Sequence, residues 1–289
     1  MNKTDIEWCD RTWNPVTGCL HGCEYCYARG IARRFDGKTQ PSIDYCDTFG
    51  DEPLYELYEK VYRTTKKGKT AVDIFPWGFS PTFHGYRLDA PQKIKNPQNV
   101  FVGSDADVFG EWVSEEWLKQ VFAACEAAPW HRYLFLTKNP IKLPLSSYLF
   151  NGIFDKHKPN YWFGMSVTNQ KSLQNALDFK HFININGSTF LSIEPLHEPI
   201  DLTRIDLGDV ICNLAKGVSS SLFHGQRMPK PKWVIIGAET GSKNCIVPKR
   251  EWIERIVNDC KTSEIAVFMK DSLTDIWGEP LLREFPWEV

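Results

Sequence analysis

Three cysteines within eight residues carry the strongest chemical signal in this chain. They read Cys19-Leu20-His21-Gly22-Cys23-Glu24-Tyr25-Cys26, a C-x3-C-x2-C run with an aromatic residue before the last cysteine. As thiolates on one short glycine-containing loop, Cys19, Cys23 and Cys26 can hold three irons of a [4Fe–4S] cube. No fourth cysteine follows at matching spacing, so one iron would have no protein ligand and could bind a substrate. Zinc is the competing reading. It usually takes four ligands, often as paired C-x2-C units, and only Cys23 and Cys26 form such a pair. His21 could complete a set, but two ligands separated by one residue chelate awkwardly. Three thiols in eight residues also speak against plain buried cysteine. The other six cysteines (Cys9, Cys46, Cys125, Cys212, Cys245, Cys260) are scattered and read as small buried hydrophobes.

Further polar groups collect where apolar runs end. Asn99–Gly103 leads into Ser104-Asp105-Ala106-Asp107, and Tyr133–Leu136 into Thr137-Lys138-Asn139. Tyr161–Val167 ends in Ser166-Val167-Thr168-Asn169, and Thr189–Ile193 runs through Ser192 to Glu194-Pro195. Trp233–Ile236 leads into Gly237-Ala238-Glu239-Thr240-Gly241, and Ile265–Met269 into Lys270-Asp271. Ligands of parallel α/β folds sit at the carboxyl ends of strands. Loops are polar anyway, but six such endings after a cysteine motif favour a convergent site.

The elements that must position these groups are legible as a pattern. The apolar runs are rich in β-branched and aromatic residues, as continuous buried strands are, and a weaker early strand lies around Thr12–Thr17. Helices are expected between them. Ser114–Ala128 has Ser114 as N-cap and Glu115 and Glu116 in its first turn, with Trp117, Val121, Phe122 and Cys125 at helical spacing. Pro129 ends it. Lys171–Phe179 and Arg250–Cys260 are similar, and Tyr27–Phe35 follows the cysteines. Alternation of strands and helices predicts an α/β fold, one domain over 1–289 with insertions at about 36–97 and 201–232. The first insertion carries a possible helix at Pro53–Thr64, a basic turn at Lys66-Lys67-Gly68-Lys69 and an aromatic segment Phe75–Arg87. Segments this long are functional or locally structured; surface ornament is the alternative for the second.

Composition narrows the classes. The chain has 289 residues, a net charge of −2 and 42% hydrophobic residues, so it is globular and not a strongly basic nucleic-acid binder, although a local basic groove stays open. No long apolar run suggests a membrane span. The odd cysteine count and the expected cluster predict a reducing cytoplasm instead of a disulfide framework.

The cysteine run resembles the signature of the radical S-adenosylmethionine (SAM) superfamily. The phrases Ile6-Glu7-Trp8, Thr12-Trp13-Asn14-Pro15-Val16-Thr17-Gly18-Cys19, Ala128-Pro129-Trp130-His131, Leu136-Thr137-Lys138 and Leu191-Ser192-Ile193-Glu194-Pro195-Leu196 look like a phage-associated branch of it without a settled reaction. Spore photoproduct lyase is a distant analogue in layout. The resemblance implies a partial (β/α)6 TIM-type barrel with the cluster loop after the first strand, and insertions able to cover the barrel mouth. It implies a [4Fe–4S] cluster on Cys19, Cys23 and Cys26, with SAM chelated by the open iron and Tyr25 near the adenine. An external reductant such as flavodoxin or ferredoxin would drive cleavage of SAM to a 5′-deoxyadenosyl radical for hydrogen abstraction. Asp105 or Asp107, beside Ser104, would accept from the SAM ammonium. Lys138 would meet its carboxylate, and Ser166, Thr168 and Asn169 its ribose. Gly237 and Glu239 lie in a segment similar to one flanking the adenine, and Glu194 would bind the ribose or orient substrate. Cys245 would be a hydrogen donor, against the plainer reading of a loop or buried thiol. Phage association suggests a nucleobase or nucleic acid substrate. For that, Trp77, Phe79, Phe83, His84 and Tyr86 could stack bases beside Arg87 and Lys93, with a satellite core as the favoured alternative; a metabolite or peptide stays open. The rival functions are a zinc-stabilised binding module and an iron–sulfur protein that binds SAM without radical chemistry.

Overall fold

The computed structural model describes residues 1–35, 46–143, 159–178, 188–206, 211–213, 218–219, 227–228, 230–241 and 244–288. The chain is a mixed α/β protein in two compact units, Met1–Phe135 and Leu136–Val289. Among the described residues no helix is long and apolar enough to cross a membrane.

The first unit opens with β1 (Asn2–Lys3) and β2 (Arg11–Trp13), an antiparallel pair. The early strand expected over Thr12–Thr17 is in fact two, because Asn14-Pro15 interrupts it. Pro15 has no N–H for a ladder, and the chain passes to a different sheet as β3 (Val16–Thr17). The cysteine loop follows, then α1 (Tyr27–Ala32).

Residues 46–84 form five strands and their connections, with no helix. β4 (Asp47–Phe49) and β5 (Glu52–Leu57) form a hairpin in which Phe49 faces Glu52 across Gly50-Asp51, with Gly50 at φ +61°. A two-residue connection of this kind selects a tight β-hairpin. The helix expected at Pro53–Thr64 is therefore overturned: Pro53 and Leu54 pair with β4, and Tyr55-Glu56-Leu57 with Thr82–His84 on the other side. A second hairpin joins β6 (Tyr62–Thr64) to β7 (Thr70–Val72), and β8 (Thr82–His84) completes a four-stranded order β3-β8-β5-β4. Phe75, Phe83 and His84 are buried, with Phe83 stacked on Trp117 at 5.4 Å, so the aromatic segment builds a satellite core.

β9 (Asn99–Val102) lies parallel to β2 on one side and to β10 (Arg132–Thr137) on the other. Between β9 and β10 runs α2 (Glu115–Glu126). The Ser114 hydroxyl accepts from the Trp117 amide at 3.1 Å as expected, and Trp117, Val121, Phe122 and Cys125 are buried.

In the second unit β11 (Tyr161–Val167), β12 (Ser188–Ile193), the short ladders β13–β14 (Ile205–Asp206, Ile211–Cys212) and β15–β16 (Val218–Ser219, Arg227–Met228), β17 (Trp233–Ile236) and β18 (Ala266–Met269) follow in order. β11, β12, β17 and β18 pair parallel in that sequence. Every residue of β12 and β17 is buried, the signature of parallel strands covered on both faces. α3 (Gln170–Asp178) follows β11, α4 (Arg250–Thr262) connects β17 to β18, and the short α5 (Thr274–Trp277) comes after β18.

Candidate functional site

The cysteine loop is held from several directions within the first unit. Asn14, at the break between β2 and β3, donates to the Ser104 hydroxyl at 3.0 Å and to the Asp105 carboxylate at 2.7 Å; its own side-chain oxygen receives the Asp105 amide at 3.3 Å. Arg87 donates to the Asn14 carbonyl at 2.8 Å. Two predicted residues at the end of β9, Ser104 and Asp105, are thus fixed by a residue of the sequence that leads into the cysteines. The Gly18 amide then donates to the Asp105 carbonyl at 3.0 Å, and the Cys19 amide to the Phe79 carbonyl at 3.3 Å. Gly18 sits at φ +83°, and a Cβ there would lie 2.4 Å from the Ser80 carbonyl oxygen. Glycine is required by conformation and by close approach alike.

Past Gly18 the loop turns toward α1. The Cys26 sulfur accepts from the Arg29 amide at 3.4 Å, so one thiol is also the N-cap of α1. Arg29 reaches back to the Cys19 carbonyl at 3.2 Å and lies 5.0 Å from the Phe79 ring. His21 has partners of its own. Its Nε2 meets the buried Asp107 carboxylate at 2.7 Å, and its ring packs edge-on against Trp112 at 4.9 Å. The other Asp107 oxygen accepts from the Phe109 amide at 3.0 Å. Of the two predicted aspartates, Asp107 reaches the cysteine loop through His21. Tyr25 is half-buried; the exposed Tyr27 donates its hydroxyl to the Ser104 carbonyl at 2.5 Å.

The chemistry of these donors fits a metal cluster. Cys19, Cys23 and Cys26 are reduced, half-buried thiols. Burial pushes the Cys19 thiol up to about 12, and Asp107, Cys23 and Cys26 add to the rise against a lowering hydrogen bond from the His21 backbone. Metal cations reverse that cost by stabilising thiolate. Arg29 Nε is buried with no hydrogen-bond partner among the described residues, which leaves a cation available to an anionic group beside the loop. Among the described residues no three His, Cys, Asp or Glu side chains form a group around a single ion. A cube takes each thiolate on a different iron, so its ligands ring the cluster instead of meeting at one point. Asp105 is also tuned. Burial raises its carboxyl above the usual range, while Arg87 and the Asn14 hydrogen bond pull it down.

The second unit gathers its predicted residues into three groups. Lys138, just after β10, donates to the Ser166 hydroxyl at 3.0 Å. Asn169 accepts from the Ser172 amide at 2.8 Å, and the Ser172 hydroxyl receives the Thr168 and Asn169 amides, so Asn169 caps α3. At the carboxyl ends of β12, β17 and β18, Glu194 pairs with Lys270, and Glu239 with His197 at 2.9 Å. Gly237 lies against the first pair: a Cβ there would stand 3.1 Å from both Glu194 and Lys270 carbons. Cys245 is half-buried in the segment after β17. The scattered cysteines divide. Cys125 and Cys260 are buried as expected, Cys9 is half-buried, Cys46 is exposed, and the Cys212 side chain lies outside the described residues.

Sequence reading missed Asn14, Arg29 and His197. Asn14 stands inside the phrase Thr12-Trp13-Asn14-Pro15, and Arg29 inside the helix expected over Tyr27–Phe35. His197 carried no signal of its own, being placed by the turn after Glu194-Pro195.

The fold and site define a mixed α/β protein with a three-thiol loop hydrogen-bonded to a strand end. The chain belongs to a family described as "Protein of unknown function (DUF5131)", whose match covers residues 3–280. No curated protein and no solved structure matches it.

Proposed function

We propose that this protein is a radical SAM enzyme with a partial-barrel architecture, acting on a substrate still to be identified. The observation that carries the reading is the three-thiol loop: Cys19, Cys23 and Cys26 on one turn, with its first residues bonded to the end of β9. Cys19, Cys23 and Cys26 would hold three irons as thiolates. When bound, a [4Fe–4S] cluster with SAM supplies one-electron reduction of the sulfonium and, through it, hydrogen abstraction from an unreactive carbon.

The chain's own residues do the positioning. Gly18 lets the loop pass against Ser80, Asn14 orients Ser104 and Asp105, and Asp107 fixes the loop through His21. Arg29 holds the Cys19 carbonyl through its guanidinium. As the resemblance implies, Asp105 would take the SAM ammonium and Lys138 its carboxylate. Ser166 and Thr168 are assigned to the ribose, and Gly237 with Glu239 to the adenine side. Glu194 is held by Lys270 and so keeps a fixed carboxylate for ribose or substrate.

The test is anaerobic reconstitution with iron and sulfide, metal analysis, and product analysis after adding SAM and dithionite. The reading expects about four irons per chain, 5′-deoxyadenosine as product, and loss of iron in the Cys19→Ala/Cys23→Ala/Cys26→Ala variant. Stoichiometric zinc with no iron would replace it with a structural zinc site. A cluster that binds SAM without cleaving it would leave a non-radical SAM protein.

A further inference from the structure

The β6–β7 hairpin is a charged projection that the site does not use. Residues 58–72 contain Lys60, Arg63, Lys66, Lys67 and Lys69 against one carboxylate, Glu59, in a chain whose net charge is −2. The strands pair Tyr62 with Val72 and Thr64 with Thr70. The tip between them is ordered by its own hydrogen bonds: Thr65 amide to Lys69 carbonyl at 2.7 Å, Gly68 amide to Thr65 carbonyl at 2.9 Å, and Lys69 amide to Thr65 hydroxyl at 3.0 Å. Lys66, Lys67 and Lys69 are exposed on that tip, and Lys60 at its base. Arg63 is the exception, lying 4.4 Å from the Phe35 ring and rooting the hairpin.

Two aromatic faces accompany these cations. Tyr62 is 55% exposed and Tyr58 59% exposed. The Tyr58 ring lies over Gly85, where a Cβ would stand 2.6 Å from it, so glycine lets one face rest on the backbone while much of the ring meets solvent. Cations that track phosphates beside aromatic rings that stack on bases are the two components of single-strand recognition. A localised cationic hairpin on an otherwise slightly acidic chain concentrates that attraction at one place.

We propose that the β6–β7 hairpin, with Tyr58 and Tyr62, is a docking surface for single-stranded nucleic acid. Lys60, Lys66, Lys67 and Lys69 contact phosphates, and the tyrosines take bases. This stands apart from the iron–sulfur reading, since docking needs neither cluster nor SAM.

The experiment is fluorescence anisotropy of the full chain with labelled oligo-dT and oligo-rU over a salt series. The arm that binds identifies DNA or RNA. Lys66→Gln/Lys67→Gln/Lys69→Gln should weaken binding and flatten the log–log salt slope by about 2, near 0.7 for each lost phosphate contact. Tyr58→Ser/Tyr62→Ser should weaken binding about tenfold or more. Lys119→Gln/Lys171→Gln/Lys249→Gln removes equal charge at other exposed sites and should leave affinity nearly unchanged. All the substituted residues are exposed, and unchanged melting temperatures check the fold. No binding of the wild-type chain to either strand overturns the proposal. So does equal loss in the two lysine variants, or binding only to duplex with no effect of the tyrosines. None of these results bears on iron content or SAM cleavage.

Discussion

Replacing Gly18 by alanine should damage this protein far more than the same change four residues later. Both glycines sit at positive φ, +83° at Gly18 and +69° at Gly22. An L-residue pays about 1–2 kcal/mol for that conformation, partly offset by up to ~1 kcal/mol from lower unfolded-state entropy. At Gly22 nothing lies within 4 Å of the added Cβ, so the net cost should be about 1 kcal/mol. At Gly18 the Cβ would stand 2.4 Å from the Ser80 carbonyl oxygen and 2.6 Å from that of Phe79. Both are backbone atoms that cannot swing aside, and the Cys19 amide bonds one of them. Relieving such overlap typically costs a further ~1–3 kcal/mol. Gly18→Ala should therefore lose about 2–4 kcal/mol, and Gly22→Ala about 1. Urea denaturation of the two variants beside the parent measures both. Equal losses would refute the close approach, and with it the placement of the cysteine loop against Phe79-Ser80. Gly18→Ala should also bind less iron after reconstitution, whereas Gly22→Ala should approach the parent.

Three further outcomes are expected. Ser114→Ala removes the cap of α2 and should cost about 1 kcal/mol by chemical denaturation, with Ser114→Gly costing less. His84 is buried neutral, its pKa driven well below the ordinary value by burial and then by Arg87. Above about pH 6.5 neither folded nor unfolded state binds the proton; below it only the unfolded state does, so stability should fall with pH by up to ~1.4 kcal/mol per unit. Denaturation at pH 7 and pH 5.5 should show that loss, reduced in His84→Gln. Lys138→Ala should weaken SAM binding by calorimetry while iron content stays the same; unchanged affinity would remove Lys138 from the site.

Much of this architecture was legible because it is written locally. β9, β10, β11, β12, β17 and β18 are continuous apolar runs, and α2 announces itself by Ser114 and the spacing of its buried residues. What stayed hidden depends on partners far along the chain. Tyr55 and Leu57 read as helical only while β8 is unknown; pairing with Thr82 and His84 makes them strand. Asp107 reads as a free acceptor until His21 is placed on it, and Glu239 until His197 is. Cysteine spacing specifies a donor set, but not the hydrogen bonds that hold it.

Those same bonds set an order of assembly. Asn14 meets Ser104 and Asp105 across 90 and 91 residues, and His21 meets Asp107 across 86. Contacts of such separation form only after the intervening chain has been synthesised and its loops closed. During translation the thiols leave the ribosome long before the residues that shape them. The cysteine loop is thus made before the end of β9 and reaches its final form only after it. A metal captured early would meet three unplaced thiols, and capture after β9 would meet the prepared loop.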